Sequence, residues 1–419
     1  MGLYNRTWTP NEGAATSQLI PYYQPILALD TRRIMGYEAL GRIQTGEGVR
    51  SLGPFFEDKT VPMTEQIRVD RVLREKALAK LASTAADNGY HPAMLFLNLK
   101  PSWIYQTYKE TGELPTLQLI NRYGINPKRI VIEITEEAFQ GSMEQLRTVV
   151  DLYRKQGCLI AIDDVGSGFS NMDRIAQIQP NLLKLDIHLL QESEGHIGYY
   201  GVVRSFSTLA EQIGASLLVE GVETEHDLQR AIEIGARYVQ GYLFAPAEPE
   251  FRPAYHYADL IEAGLERRRS RMISEERYWG VEAEKLRMVV DASWRTSIIA
   301  AADGAGQEAA DACIEGMLSR LEASCIRVYW CREDGIQISS NYNRQSNGVW
   351  DRETAFCGSN WSWRPYFIPI SVEMEGKLRA HVSRTYTDLN SGDRIRTISV
   401  SVGQQGIMFV DIIDPEGER

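Results

Sequence analysis

Acidic, amide and basic side chains end a series of short apolar segments in the first 250 residues. The segments are rich in leucine and β-branched residues, and each ends at or near one polar residue that could bind a metal ion, a proton or a phosphate. If the segments are strands of a closed parallel barrel, their carboxyl ends meet at one rim, and these side chains form a single acidic pocket there. The residues concerned are Glu38, Asn98, Glu133, Asp163, Lys184, Glu220 and Gln240.

This set of side chains is suited to phosphodiester chemistry with metal ions. Carboxylate and amide oxygens are hard ligands that favour magnesium, manganese or calcium over zinc. Asp163 and Asp164 are adjacent, so one can bridge two ions while its neighbour binds the second. Two ions about 3.5–4 Å apart clamp the attacking and leaving oxygens of a phosphodiester. Lys184 could then activate the attacking water, and Glu220 is the candidate acceptor of its proton.

The elements that must position these residues follow a repeated pattern of strand and helix. Apolar runs such as Met94–Asn98 and Ile130–Glu133 alternate with amphipathic stretches, of which 69–81 has an apolar residue at every fourth position. Near-continuous apolar strands are typical of a sheet that is covered on both faces. Seven or eight such units within about 250 residues favour an α/β fold of the TIM-like (β/α)8 barrel type.

The pattern changes near Asp259, which predicts a second domain. A highly charged amphipathic stretch follows, and its arginine run 267–271 is interpreted as a solvated helix face. Alternating runs at 326–330 and 397–402, separated by turn residues, indicate an antiparallel sheet. We therefore predict a barrel over residues 1–255, a helical linker over 256–293 and an α+β domain over 294–419.

Composition limits the classes of function. The net charge of −11 argues against binding to duplex nucleic acid, which needs surplus cations. No apolar run reaches the roughly 18 residues of a membrane span, and the first residues lack the apolar run of a secretory signal. Five scattered cysteines without metal-ligand spacing are interpreted as reduced thiols. We expect a cytoplasmic protein without membrane insertion.

The segment Tyr37-Glu38-Ala39-Leu40-Gly41-Arg42 resembles the signature of the EAL-domain family of cyclic di-GMP phosphodiesterases. The resemblance spans residues 18–250, with its motifs in the order of the family. It implies a TIM-like barrel that hydrolyses cyclic di-GMP to linear pGpG with two Mg²⁺ or Mn²⁺ ions and is inhibited by Ca²⁺. The further motifs are Gln24-Pro25-Ile26, Asn98-Leu99, Glu133-Ile134-Thr135-Glu136, Asp163-Asp164, Lys184-Leu185-Asp186, Glu220-Gly221-Val222-Glu223-Thr224 and Gln240-Gly241-Tyr242.

The resemblance also implies a role for each matching residue. One ion would be held by Glu38, Asn98, Glu133 and Asp163, and the other by Asp163 and Asp164. Lys184 and Glu220 would act on the water. Gln24, Leu40 and Arg42 would contact the nucleotide, and Gln240 would support the same substrate site. A planar guanidinium at Arg42 suits a ligand phosphate.

The loop after the paired aspartates departs from the family pattern. Val165 stands where active relatives carry phenylalanine, and Asn171 replaces a serine, whereas Glu136, which anchors this loop in the family, is present. The lost ring removes buried area beneath Asp164, and a loose ligand impairs catalysis more than binding. Two functions therefore stay open: an active phosphodiesterase, and a cyclic di-GMP receptor with weak or absent turnover at the same site.

The C-terminal domain carries short motifs that resemble those of Cache/PAS-like sensor domains. In such domains the residues that match Arg364, Tyr386 and Asp388 hold a ligand with an amino or carboxylate group; alternatively, the aromatic residues fill a sheet core and the polar ones cap turns. The order of barrel, helical connector and PAS-like domain resembles YkuI-type proteins of Gram-positive bacteria. We expect a homodimer in which this domain regulates the barrel. Tyr242 is open to two interpretations, stacking on a guanine or packing.

Overall fold

The structure is a computed structural model that describes residues 16–85, 93–134, 142–165, 172–193, 196–300, 306–375 and 379–415. The chain divides into two compact units after Arg269. Within the described residues, no helix is both long and apolar enough to span a membrane.

The N-terminal unit contains nine strands and nine helices among its described residues. Its strands are β1 (Leu19–Ala28), β2 (Arg33–Thr45), β3 (Gly48–Ser51), β4 (Met94–Leu99), β5 (Ile130–Ile134), β6 (Leu159–Val165), β7 (Leu182–Asp186), β8 (Ser216–Glu220) and β9 (Tyr238–Val239). Its helices are α1 (Gly53–Glu57), α2 (Met63–Ala85), α3 (Pro101–Thr111), α4 (Pro115–Arg122), α5 (Met143–Gln156), α6 (Met172–Ile178), α7 (Ile187–Glu192), α8 (Ile197–Ile213) and α9 (Glu225–Glu233).

Eight of these strands close into a barrel, as predicted. The order is β1-β9-β8-β7-β6-β5-β4-β2, and a β1–β2 pairing completes the ring, while β3 extends the outer part of β2. Strand β1 runs antiparallel to both neighbours, which an all-parallel (β/α)8 barrel would not show. The reason is the four-residue link between β1 and β2, because a parallel connection needs a dozen residues or more.

Side-chain alternation places the polar residues above an apolar floor. Neighbouring strands contribute one fully or nearly buried apolar residue each to a cluster inside the barrel. Since side chains two positions apart face the same way, the polar residue two positions further along each strand also points into the barrel. The pairs are Phe96 and Asn98, Val131 and Glu133, Ala161 and Asp163, Leu182 and Lys184, and Leu218 and Glu220.

The C-terminal unit is an α+β fold, which confirms the prediction. Its elements are α10 (Ala258–Ala300, which begins in the N-terminal unit), α11 (Gln307–Leu318), β10 (Cys325–Cys331), β11 (Asn341–Arg344), β12 (Trp350–Glu353), α12 (Phe367–Glu375), β13 (Ala380–Val382), β14 (Tyr386–Thr387), β15 (Arg394–Ser401) and β16 (Ile407–Ile413). The sheet has the order β12-β11-β10-β16-β15-β13, with β14 also paired to β15, and every pairing is antiparallel. One face of the sheet packs on α11 and on Trp279 and Leu286 of α10, and the other packs on α12.

Candidate functional site

The centre of the candidate site is the ammonium group of Lys184, which lies among four carboxylates from four other strands. Its Nζ is 2.8 Å from Asp163 Oδ1 and 3.0 Å from Glu133 Oε1. Glu220 Oε2 follows at 3.1 Å and Glu38 Oε2 at 3.7 Å. The sequence prediction that these residues share one rim therefore agrees with the coordinates, although their roles stay predictions.

Burial makes this cluster electrostatically unusual. The side chain of Lys184 is 1% exposed. Burial alone would lower its pKa, but the surrounding carboxylates raise the pKa by more than burial lowers it. The pKa of Lys184 is therefore well above its ordinary value. Glu133 is fully buried, and burial together with the charges of Glu38 and Asp163 raises its pKa. Four carboxylates face one ammonium, so the site has an excess of negative charge.

Amide side chains join the carboxylates in a hydrogen-bonded row. Glu38 accepts from Asn98 Nδ2 and from Gln240 Nε2, both at 2.8 Å. Gln240 Nε2 also donates to Gln24 Oε1 at 3.2 Å. Gln24 lies directly opposite Glu38 in the β1–β2 ladder. Because β1 is antiparallel to β2, the amino-terminal half of β1 lies at the rim, beside the polar end of the neighbouring strand. These two glutamines thus complete the wall beside Glu38.

The carboxylate and amide oxygens of the site are ligands of the kind that hard divalent cations prefer. Glu133 Oε2 is buried and has no hydrogen-bond donor among the described residues, and an excess of buried carboxylate favours a cation. The carboxylates close around the Lys184 ammonium rather than around a shared point, and in the described part of the chain no three acidic, histidine or cysteine residues form a ready metal site. Cation binding would therefore require the carboxylates to shift relative to Lys184.

Part of the predicted second-ion site lies outside the described residues. Glu136 and the loop 166–171 belong to the segments not described, and of Asp164 only the backbone position in β6 is described. Val165 ends β6, is 1% exposed and packs within the main barrel core. The valine is thus well buried at its own position.

A cavity of about 350 Å³ adjoins the acidic cluster and shares Asn98 with it. Its walls are mostly apolar, and Leu40 and Arg42, which we predicted to contact a nucleotide, line it together with Phe56 and Trp103. This size and lining are typical of small-molecule sites.

Sequence reasoning missed a partly buried ion pair on the wall of this cavity. Asp70 and Arg74 line the cavity from α2 and bind each other, with side chains 21% and 9% exposed. Burial raises the pKa of Asp70, although Arg74 opposes this effect. The signal was available, because Asp70 and Arg74 share the helix face of Leu73 and Ala77, where acids are otherwise rare.

The turn after β9 places the amide of Gln240 inside the barrel and the ring of Tyr242 on the surface. A side chain at Gly241 would place its Cβ 2.0 Å from the Val222 oxygen, so this position requires glycine. Gln240 is 3% exposed inside the barrel, whereas Tyr242 is 67% exposed and close enough to Arg42 to affect its pKa. Tyr242 therefore does not pack in the core of this chain, and its ring is accessible to a ligand.

The three candidate residues of the C-terminal unit have different surroundings. Asp388 is buried; its oxygens accept from Arg327 at 2.9 and 3.1 Å and from backbone amides in the following turn. The Tyr386 hydroxyl hydrogen-bonds the Thr397 hydroxyl at 2.7 Å. Arg364 lies over the Trp363 ring, with 4.4 Å between its guanidinium carbon and the ring centroid. Asp388 thus has the turn-capping role that the sequence left open.

Comparison with known proteins places these observations in a family. Residues 11–247 match the EAL domain, and residues 263–414 match the EAL-domain associated signalling protein domain, YkuI_C. The uncharacterized EAL-domain containing protein YkuI of Bacillus subtilis is 32% identical over 94% of both chains. The cyclic di-GMP phosphodiesterase RocR of Pseudomonas aeruginosa is 30% identical over 57% of this chain and 59% of its own length.

A solved structure agrees with the full-length similarity. The crystal structure of the Bacillus subtilis YkuI protein in complex with substrate c-di-GMP and calcium superposes with a TM-score of 0.85 and 30% identity. The match covers 96% of this chain and 97% of that one. Because the family matches cover both units and the similarity to YkuI runs over 94% of the chain, the chain belongs to the EAL-domain family and carries a YkuI_C domain.

Proposed function

We propose that this protein hydrolyses cyclic di-GMP to linear pGpG in a reaction that depends on divalent cations. The observation that carries the proposal is the position of Lys184, whose ammonium lies within 3.7 Å of four carboxylates at one end of the barrel, beside a cavity that contains Leu40 and Arg42. The ligand in the YkuI crystal structure and the activity of RocR support the choice of substrate.

The residues on the rim divide the chemical work. Glu220 is the most accessible of the four carboxylates around Lys184, with a side chain 19% exposed, and is suited to accept a proton from the attacking water. Lys184 holds Glu220 in place and donates hydrogen bonds toward the reacting water. The hydrogen bonds of Gln240 and Asn98 fix the orientation of Glu38.

Glu38, Asn98, Glu133, Asp163 and Asp164 would hold two Mg²⁺ or Mn²⁺ ions. Such ions supply positive charge to the phosphate oxygens and favour ionisation of the attacking water. Ca²⁺ would bind the same oxygen ligands and inhibit, because its longer bonds and looser geometry are poorly suited to this arrangement.

The cavity beside the rim would hold one guanine of the ligand. Guanine offers adjacent N–H donors on its Watson–Crick edge, and a carboxylate such as Asp70 accepts both. Arg42 at the same cavity would bind a phosphate, and the exposed ring of Tyr242 could stack on the second base. The cavity therefore favours a guanine nucleotide over an adenine nucleotide.

The alternative is a receptor that binds cyclic di-GMP at this site with little or no turnover. Val165 supports the receptor alternative, because this side chain, directly before the loop 166–171, is smaller than the phenylalanine of active relatives. We further propose a cytoplasmic homodimer in which residues 294–419 regulate a barrel formed by residues 1–255 through the helical segment 256–293.

One experiment separates the two functions. Purified protein is incubated with cyclic di-GMP and Mn²⁺, and the products are separated by chromatography, while binding is measured by calorimetry in Ca²⁺. Linear product that disappears in Glu38→Ala and Glu220→Gln supports the enzyme, and binding without product supports the receptor. If neither variant changed turnover or binding, the site assignment would be wrong.

A further inference from the structure

Lys100 lines the cavity beside the acidic cluster, and the proposed function gives it no role. It directly follows β4, two positions beyond Asn98, and precedes α3, which begins at Pro101. A residue before proline is restricted to extended conformations, and Lys100 has such a conformation, with a φ of −80° and a ψ of 111°. The backbone of Lys100 is therefore held between a strand of the barrel and the start of a helix.

Two contacts hold the ammonium group of Lys100 at the cavity wall. Its Nζ donates to the backbone oxygen of Phe56 at 2.8 Å and lies 4.9 Å from the centroid of the Trp103 ring. Phe56 and Trp103 line the same cavity. An ammonium group has three N–H donors and no acceptor, so the bond to Phe56 is compatible with donation to a ligand. The cavity thus has a cationic hydrogen-bond donor in a defined position.

Asp70 gives the same cavity a hydrogen-bond acceptor. Its carboxylate pairs with Arg74, whose Nη1 donates to the buried Thr116 hydroxyl at 2.8 Å, so this acceptor is held from behind. Burial raises the pKa of Asp70, and Lys100 is among the nearby cations that oppose this rise. Lys100 thus lies near Asp70, and the cavity offers a donor and an acceptor to one bound group.

A donor and an acceptor placed together distinguish the two purine bases. Guanine carries the acceptor O6 next to the N–H donors of its Watson–Crick edge, whereas adenine carries an amino donor where guanine has O6. A carboxylate accepts from the guanine donors, and a lysine donates to O6. Adenine would instead turn its amino donor toward the ammonium group, which cannot accept a hydrogen bond. The pair of Asp70 and Lys100 therefore favours guanine with both of its members.

We propose that Lys100 donates to O6 of the guanine whose Watson–Crick edge contacts Asp70, and that one guanine is enough for recognition. The inference rests on the proposed function, which places a guanine in this cavity. Asp70 and Lys100 line one cavity and therefore contact one base. The second base would stack on Tyr242, and stacking accepts any base because every base has a π face. The ligand class is therefore cyclic dinucleotides with at least one guanine, including a guanine–adenine hybrid.

The first test compares Lys100→Met with the wild type by calorimetry in Ca²⁺, with cyclic di-GMP and its 2-aminopurine analogue as probes. The analogue keeps the phosphates and the 2-amino group but lacks O6. Lys100→Met should weaken the binding of cyclic di-GMP roughly 10- to 100-fold and that of the analogue less than about twofold. Equal weakening of both probes would mean that Lys100 binds a phosphate or only supports the fold. That result, or unchanged binding of cyclic di-GMP, would overturn the proposal.

The matched control is Lys76→Met. Lys76 also donates to backbone oxygens, those of Thr16 at 2.8 Å and Leu19 at 2.6 Å, but it is not among the residues that line this cavity. We expect this variant to bind both probes like the wild type. If Lys76→Met weakened cyclic di-GMP binding as much as Lys100→Met, the effect would come from a lost lysine–backbone bond, and the base contact would be refuted.

The second test asks whether one guanine is enough. The probes are cyclic di-GMP, the 3′,3′-linked hybrid of GMP and AMP, and cyclic di-AMP. The hybrid should bind the wild type within about tenfold of cyclic di-GMP, and cyclic di-AMP roughly 100-fold more weakly or less tightly still. A hybrid that binds as weakly as cyclic di-AMP would overturn recognition through a single base. If the wild type bound none of the probes, the proposed substrate itself would be wrong, whereas this binding pattern without hydrolysis would support the inference and favour the receptor.

Discussion

Replacing Lys184 by methionine tests whether the acidic cluster needs a positive charge at its centre. The three shortest contacts of its Nζ lie at 2.8, 3.0 and 3.1 Å. At an effective dielectric constant of 20, each such attraction is worth about 5 kcal/mol, most of which offsets the desolvation of the buried charges. Since Lys184→Met leaves several carboxylates buried together, we expect a loss of about 3–5 kcal/mol in the free energy of unfolding.

The assay is urea unfolding of Lys184→Met at pH 7.5 in a chelator, repeated with Ca²⁺ and at pH 5.5. Cations should restore part of the lost stability, because they replace the missing positive charge. Lower pH should do the same: the pKa of Glu133 is raised in the folded state, so the folded protein binds more protons than the unfolded chain, and stability rises as the pH falls.

The matched control is Lys80→Met, because Lys80 makes an ion pair with Glu250 whose side chain is 75% exposed. Such pairs contribute little, so the control should unfold like the wild type. A loss in Lys184→Met that neither cations nor low pH relieve would refute the electrostatic account of the site.

Four further predictions test separate parts of the molecule. Asp70→Asn should weaken cyclic di-GMP binding by about 1–3 kcal/mol in calorimetry while the circular dichroism spectrum is unchanged; unchanged affinity would exclude Asp70 from base recognition. Tyr242→Ala should weaken binding by roughly 1–3 kcal/mol, the typical value of a base–aromatic stack, and Tyr242→Phe should not; equal affinities of both variants would argue against stacking. Val165→Phe should raise turnover if the loop after Asp164 limits it, and an unchanged rate in the chromatographic assay discards that explanation. Asp388 has a pKa lowered to about 2 because hydrogen bonds, chiefly from Arg327, outweigh burial; its stabilisation is full above the ordinary value of 3.8 and is lost as the pH falls toward 2. Acid unfolding of Asp388→Asn followed by circular dichroism should therefore lack that part of the pH dependence, and the same slope as in the wild type would contradict it.

Much of the barrel could be predicted from the sequence because local pattern and long-range order agree. The run Ile130–Glu133 is apolar up to its last residue, and the structure places that residue inside the barrel above Val131. Repetition of this pattern on several strands predicted one shared rim. The direction of β1 was missed, because the apolar run at 26–29 looks like every other strand and only the short link to β2 reveals its orientation.

Other features depend on contacts that periodicity does not report. Asp70 looks like an ordinary charge on a helix until the cavity beside it is known. Ser399 sits in an alternating strand at a position that a polar residue could occupy on either face, and only the packing of α12 shows that its face is covered. The capping role of Asp388 depends on Arg327, which is distant in sequence. Side-chain partners of this kind are set by tertiary structure rather than by local spacing.

The antiparallel ladder between β1 and β2 makes the reactive geometry dependent on one short turn. Gln24 faces Glu38 only in the present register, and moving the hairpin by a single position would aim Tyr37 inward and send the glutamate toward the helices. The turn that sets this register contains Arg32 in a left-handed conformation, with a φ of 56°. Lengthening the link of residues 29–32 by one residue should therefore abolish the activity proposed for the barrel rim, although none of the rim residues is itself changed.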